Sequence, residues 1–213
     1  MPQVSSKPRT ARSRRGFSLV EFMIASTISA TLLAATMSAL DTSYKSYKVA
    51  TESASLNMSA RLAMHRITTL IRNGEEFGPF PTNPIAEPRI ETDTLELVAF
   101  HDSDSDLREV WTIRLVPATL DETNRGLGPN KLEADVTRFD DSGELASFTQ
   151  PLVYRVTDAR FLLEYDVGPT LRRATVDLTV GERQDRDDGL MSDLEAPQIR
   201  MVSSVRPRRI NPT

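Results

Sequence analysis

The longest apolar run of the chain is FSLVEFMIASTISATLLAATMSAL, from Phe17 to Leu40, with no Lys or Arg and Glu21 as its only ionisable residue. As a helix rising ~1.5 Å per residue it covers roughly 36 Å, more than the ~30 Å core of a bilayer. Its Ser and Thr residues are tolerable there, because their hydroxyls bond back to the preceding turn or across to neighbours. Neither Pro nor Gly occurs from Asp41 to Asn73. One helix is therefore predicted over Phe17–Asn73, on the order of 85 Å long, with Arg72 in its last turn and Gly74 as the residue after its C-cap. Residues 41–55 are polar nearly all round, so this stretch bridges packed regions or contacts partners and is no core element. Leu56, Ala60, Ala63, Ile67, Leu70 and Ile71 then form a stripe that predicts packing on a sheet. Met58 and Met64 flank it as gap-fillers, and His65 reads as a surface residue.

Beyond Gly74 the pattern changes. Residues 78–88, GPFPTNPIAEP, hold four prolines and predict an irregular loop. Runs with period-two alternation follow at 94–100, 109–116, 132–139, 151–156, 160–167, 173–180 and 199–205, as expected of half-buried antiparallel strands. Asp140-Asp141-Ser142-Gly143 reads as a hairpin turn. The fold class expected is α+β, a long N-terminal helix followed by an antiparallel β-sheet head. The expected division is a basic leader at 1–16, a membrane helix at 17–40, a helical stalk at 41–74 and a β-rich head at 75–213.

Charge sharpens this division. Lys7, Arg9, Arg12, Arg14 and Arg15 precede the apolar run and no acid stands among them. That leaves 21 basic residues against 30 acidic ones in the rest, a net charge near −9. An acidic body argues against non-specific nucleic-acid binding. Basic residues before the span and acidic bulk after it place residues 1–16 in the cytoplasm and the head outside, on an inner membrane crossed once. The chain has no Cys and two His, which excludes disulfides, thiolate sites and multi-imidazole metal sites. A secretory signal peptide is the plainer alternative for the first forty residues. Its best cleavage site, Met37-Ser38-Ala39, begins on an unsuitable residue, and a discarded segment has no use for a carboxylate in its apolar run.

Arg15-Gly16-Phe17-Ser18-Leu19-Val20-Glu21 resembles the processing motif of type IV pilins and type II secretion pseudopilins. The resemblance implies the pilin fold, cleavage after Gly16 by a membrane prepilin peptidase and N-methylation of the new first residue, Phe17. It also implies an assembly role for Glu21, at the fifth mature position, in pairing with the N-terminal amine of a neighbouring subunit. The physics agrees: each partner is costly alone in a low-dielectric helix bundle and compensated when paired. The stretches LAMHRITTLIRNG, VTDARFLLEY and RRATVDLTV resemble W-type minor pilins and J-type minor pseudopilins. Partners implied are other pilin or pseudopilin subunits through the N-terminal helix, the peptidase and an inner-membrane assembly platform, ending in a pilus or pseudopilus fibre. A signal-anchored periplasmic binding or enzymatic domain is the alternative, and it leaves Gly16, Phe17 and Glu21 without a purpose.

Other chemistry is sparse. Asp102, Asp104 and Asp106 alternate as carboxylates that ligate Ca²⁺ can do, but Leu107 stands where an EF-hand needs its turn glycine. The plainer reading is a solvated acidic loop, with calcium the one cofactor worth testing. Residues 182–195 form a second acidic stretch. Gly126-Leu127-Gly128 lacks the third glycine of a nucleotide fingerprint, and no hydrolase, zinc-protease or P-loop motif occurs, so a structural role is expected rather than an enzyme. Trp111 reads as core, and Arg206 to Arg209 as a solvated basic tail.

Overall fold

The computed structural model describes residues 16–102, 107–166, 170–181 and 198–208. Two compact units divide the chain, residues 1–49 and 50–213.

The described part of the first unit is helical from Leu19 onward. Helix α1, Leu19–Asn73, begins two residues later than the apolar pattern predicts. The reason is local: Phe22 donates its backbone N–H to the Ser18 carbonyl at 3.0 Å, so Ser18 is the N-cap. The hydroxyls of Thr27, Thr31, Thr36 and Thr42 each bond to a carbonyl three or four residues back. These polar side chains are thereby satisfied inside their own helix, which is what an apolar surrounding requires. α1 is long and apolar enough in this part to cross a membrane, by length and composition.

The second unit begins with residues 50–73 of α1. Leu56, Ala60, Ala63, Met64, Ile67 and Ile71 are buried, so the predicted stripe does face the core, with Leu70 at its margin. Met64 fills the core, whereas Met58 stands exposed on the other side. α1 ends at Asn73 as its pattern predicts, but Gly74 serves by space and not by a left-handed turn. A Cβ there would lie 2.8 Å from both the Leu70 carbonyl oxygen and Leu97 Cδ1. The end of α1 is also capped from afar, since the Arg208 N–H donates to the Arg72 carbonyl at 2.8 Å. The tail backbone is thus tied down at Arg208, while Arg206 and Arg208 themselves are exposed, as a solvated tail predicts.

Among the described residues nine strands follow: β1 (Glu75–Gly78), β2 (Arg89–Thr92), β3 (Thr94–Asp102), β4 (Leu107–Pro117), β5 (Asn130–Asp140), β6 (Gly143–Tyr154), β7 (Val156–Tyr165), β8 (Leu171–Gly181) and β9 (Gln198–Val205). They form two antiparallel sheets, ordered β1-β3-β4-β5-β6 and β2-β7-β8-β9. The α+β class is thus as expected. Alternation fixes the register: Leu132, Ala134 and Val136 of β5 and Ala174, Val176, Leu178 and Val180 of β8 all join one core with Ile67 and Ile71. Trp111 belongs to that core.

Two expectations are corrected. The predicted strand 151–156 is two strands, split at Arg155, which has φ 61° and carries the chain from one sheet to the other. Val153 and Val156 are both buried, so the apolar pattern runs on through the break. Arg155 is held there by its N–H to the Leu127 carbonyl at 3.0 Å and by Nε to the Gly126 carbonyl at 3.1 Å. β1, β2, the first half of β6 and a short helix α2 (Leu120–Asn124) lie outside the predicted runs. The Asp140–Gly143 turn is as predicted: Asp140 Oδ1 accepts from the Ser142 N–H at 2.8 Å, and Gly143 takes φ 122°, a region only glycine enters readily.

α2 is fixed by charge. Thr119 and Glu122 form a reciprocal capping box, and Lys131 Nζ lies 3.0 Å from Glu122 and 2.9 Å from Glu133. The three charged side chains are 12–15% exposed. The Thr119 N–H and then Lys131 bring the Glu122 carboxyl down to about 2, and Glu133 foremost raises Lys131.

Candidate processing and assembly site

The site expected at Gly16, Phe17 and Glu21 lies where the chain enters α1. Residues 16–18 are non-helical and exposed, and among the described residues nothing but the chain neighbours lies within 4 Å of a Cβ built on Gly16. The Gly16–Phe17 peptide bond therefore stands in accessible backbone just outside a helix. Proteolysis needs that state, because a helical peptide bond would first have to unwind. Phe17 is 77% exposed, so its ring has no packing to lose.

Glu21 sits in the first turn of α1, where a carboxylate is favoured by the unpaired amides and the helix dipole. Its Oε2 accepts the backbone N–H of Ser18 at 3.0 Å. That bond is one half of a capping box, Ser18 at the N-cap and Glu21 three residues on. Among the described residues Oε1 has no hydrogen-bond partner, which leaves room for one further donor. Hydrolysis after Gly16 would create such a donor, a cationic amine on Phe17, one helical turn from the carboxylate. Ser18 is a functional residue that the sequence reading missed. The S-x-x-E spacing before an apolar run was the signal for it.

Residues 11–37 match the prokaryotic N-terminal methylation motif. The match takes in all three residues of the site and the apolar run as far as Met37. It supports a type IV pilin-like chain that is a substrate of prepilin peptidase, anchored in the inner membrane before it assembles with other pilins. None of the curated proteins and none of the solved structures matches the chain.

Around the motif the helix offers no core of its own. Phe22, Ile24, Ile28, Leu32, Leu33, Met37 and Leu40 are each more than half exposed. An apolar surface of that extent requires lipid or neighbouring helices to cover it.

The second candidate, Asp102, Asp104 and Asp106, falls mostly outside the described residues. Asp102 closes β3, while Asp104 and Asp106 lie outside the described residues, as does the acidic stretch 182–195. Among the described residues no three His, Asp or Glu side chains converge in a way that could hold a metal ion. His65 is exposed, as its position on the helix predicts.

Proposed function

We propose that the chain is a structural minor subunit of a type IV pilus or of a type II secretion pseudopilus, acting in initiation or at the tip of the fibre rather than as an enzyme. The methylation motif at residues 11–37 carries this reading, since an ordinary anchor has no use for Gly16, Phe17 and Glu21 together. The absence of cysteine supports a minor over a major subunit, because many major pilins close their C-terminal loop with a disulfide. The similarity of the 62–74, 156–165 and 172–180 stretches to W-type and J-type subunits points the same way. On this reading the peptidase cuts after Gly16, Phe17 is methylated, and the helix passes from lipid into a bundle of like helices. There the second oxygen of Glu21 receives the amine of a neighbour, which sets the axial register.

The first test is intact and N-terminal peptide mass spectrometry on the protein from its host's membranes. A mature chain starting at N-methylated Phe17 is expected; one retaining residues 1–16, or starting near Asp41, overturns the reading. Glu21→Ala should leave processing intact and hinder incorporation into the fibre.

A further inference from the structure

The stretch just past the apolar run has a chemistry that neither processing nor assembly uses. From Leu33 to Tyr47 every large apolar or aromatic side chain recurs at spacings of four and three: Leu33, Met37, Leu40, Tyr44 and Tyr47. At ~100° per residue these five lie along one side of α1. The stripe is aliphatic up to Leu40 and phenolic beyond it. Asp41, the first charge after Glu21, stands at that change.

Depth along the helix gives the change its meaning. Leu19 to Leu40 is a rise of ~32 Å, close to the ~30 Å hydrocarbon core. Tyr44 and Tyr47 stand ~6 and ~10 Å further on, against a headgroup layer ~5–8 Å thick, so Tyr44 lies within it and Tyr47 reaches back to it from its outer edge, since helical side chains lean toward the N-terminus. Their rings are 69% and 71% exposed on a helix that carries them out of an apolar segment. A phenol combines an apolar ring with a hydrogen-bonding tip, the combination that collects at membrane–water boundaries. Lys48 lies one turn from Tyr44, and Lys45, paired with Asp41 at 2.9 Å, lies between. Long lysine stems reach phosphates from such positions.

The geometry points to an interfacial anchor: Tyr44 and Tyr47, with Lys48, seat α1 in the phospholipid headgroup layer on the side of the head. The inference rests on the reading of residues 17–40 as a membrane span. It gives cleavage after Gly16 a second consequence. Loss of the leader removes Lys7, Arg9, Arg12, Arg14 and Arg15 from the other side, so the aromatic end becomes the main fixture of depth. That end resists inward sliding, yet it lets the helix leave outward, where the tyrosines pass into water.

The chain has no cysteine, so single introduced cysteines report their surroundings without background. The full chain would be placed in phosphatidylethanolamine and phosphatidylglycerol liposomes with its head outside. Ser29→Cys, Ser38→Cys, Thr42→Cys and Ser46→Cys would each be reacted with a membrane-impermeant maleimide. Protection at 29 and 38, slow reaction at 42 and full reaction at 46 are expected. Tyr44→Ser with Tyr47→Ser should speed labelling at 38 and 42 about tenfold. Trp at both positions should restore protection and Leu should not, since only an amphipathic ring prefers the interface. Unchanged labelling in the Ser variant overturns the anchor while leaving the span intact. Protection restored equally by Leu, and lost as lipid dilutes the protein, overturns it in favour of a neighbouring helix. Full labelling at 29 in the native background overturns the span, and the anchor with it.

Discussion

The guanidinium carbon of Arg66 lies 5.2 Å from the centre of the Trp111 ring, and the same side chain donates through Nη2 to Gln150 Oε1 at 3.0 Å. One residue of α1 thus touches β4 and β6 at once. A cation over an indole contributes ~0.5–1 kcal/mol where solvent reaches it, and the hydrogen bond ~0.5–1.5 kcal/mol. Arg66→Ala should therefore lower stability by about 1–2 kcal/mol. Arg66→Lys should recover part of it, as the charge stays over the ring without the planar fork. Trp111 is the only tryptophan, so its emission during denaturant unfolding of the full chain in detergent reads this region directly. An unchanged midpoint in the Ala variant would show that the contact contributes nothing.

Two glycines should respond in opposite ways. At Gly74 an added methyl meets the Leu70 carbonyl oxygen and Leu97 Cδ1, both at 2.8 Å. Leu97 is fully buried and the carbonyl belongs to the helix backbone, so neither yields cheaply. Gly74→Ala should cost about 1–3 kcal/mol, as overpacking does. At Gly16 nothing lies within 4 Å, and Gly16→Ala should leave the unfolding midpoint unmoved. Slower release of the leader from that variant in membranes containing the peptidase would then report recognition alone. A shifted midpoint for Gly16→Ala would contradict the exposed backbone described at the site.

Burial on α1 makes a third prediction. Ile67 is fully buried in the core to which both sheets contribute, while Leu62, five residues earlier, is 68% exposed. Truncating Ile67 to Ala should cost about 2–5 kcal/mol, and truncating Leu62 within about 0.5 kcal/mol. Equal effects, measured by the same Trp111 emission, would mean that the packed face of the helix has been misassigned.

These residues also show what could be read beforehand. Ile67 and Leu62 separate at once in a period of 3.6, and the β5 and β8 faces separate in a period of two, because one buried face imposes each pattern. The motif around Gly16, Phe17 and Glu21 was legible because a processing signal is a short contiguous string. Arg155 was not, since its left-handed turn is imposed by the 126–128 loop far away in sequence. The first half of β6 was hidden for another reason. All of 143–149 is exposed, so no burial alternates along it, and pairing with β5 alone makes it a strand. Strands β1 and β2, four residues each, are too short to carry a period.

Acid should weaken the head through Glu122. Its carboxyl is brought from an ordinary 4.5 down to about 2, first by the Thr119 N–H and then by Lys131. A group whose folded pKa is depressed binds protons more readily in the unfolded chain. Its contribution is thus whole above about 4.5 and is lost as pH falls from there toward 2. Glu164 beside Arg173 and Asp177 beside Arg200 are shifted the same way and add to the slope. Lys131 shifts upward from 10.5 and loses its contribution only above that value. Stability followed by Trp111 emission should therefore change little from these groups between pH 5 and 7 and fall below about 4.5. Glu122→Gln should start lower at pH 7, because it leaves Lys131 with Glu133 as its one carboxylate and weakens the cap on α2. It should then fall less steeply, so that the two curves approach each other near pH 2. Parallel curves across the acid range would mean that Glu122 titrates in the folded protein as it does in the unfolded chain.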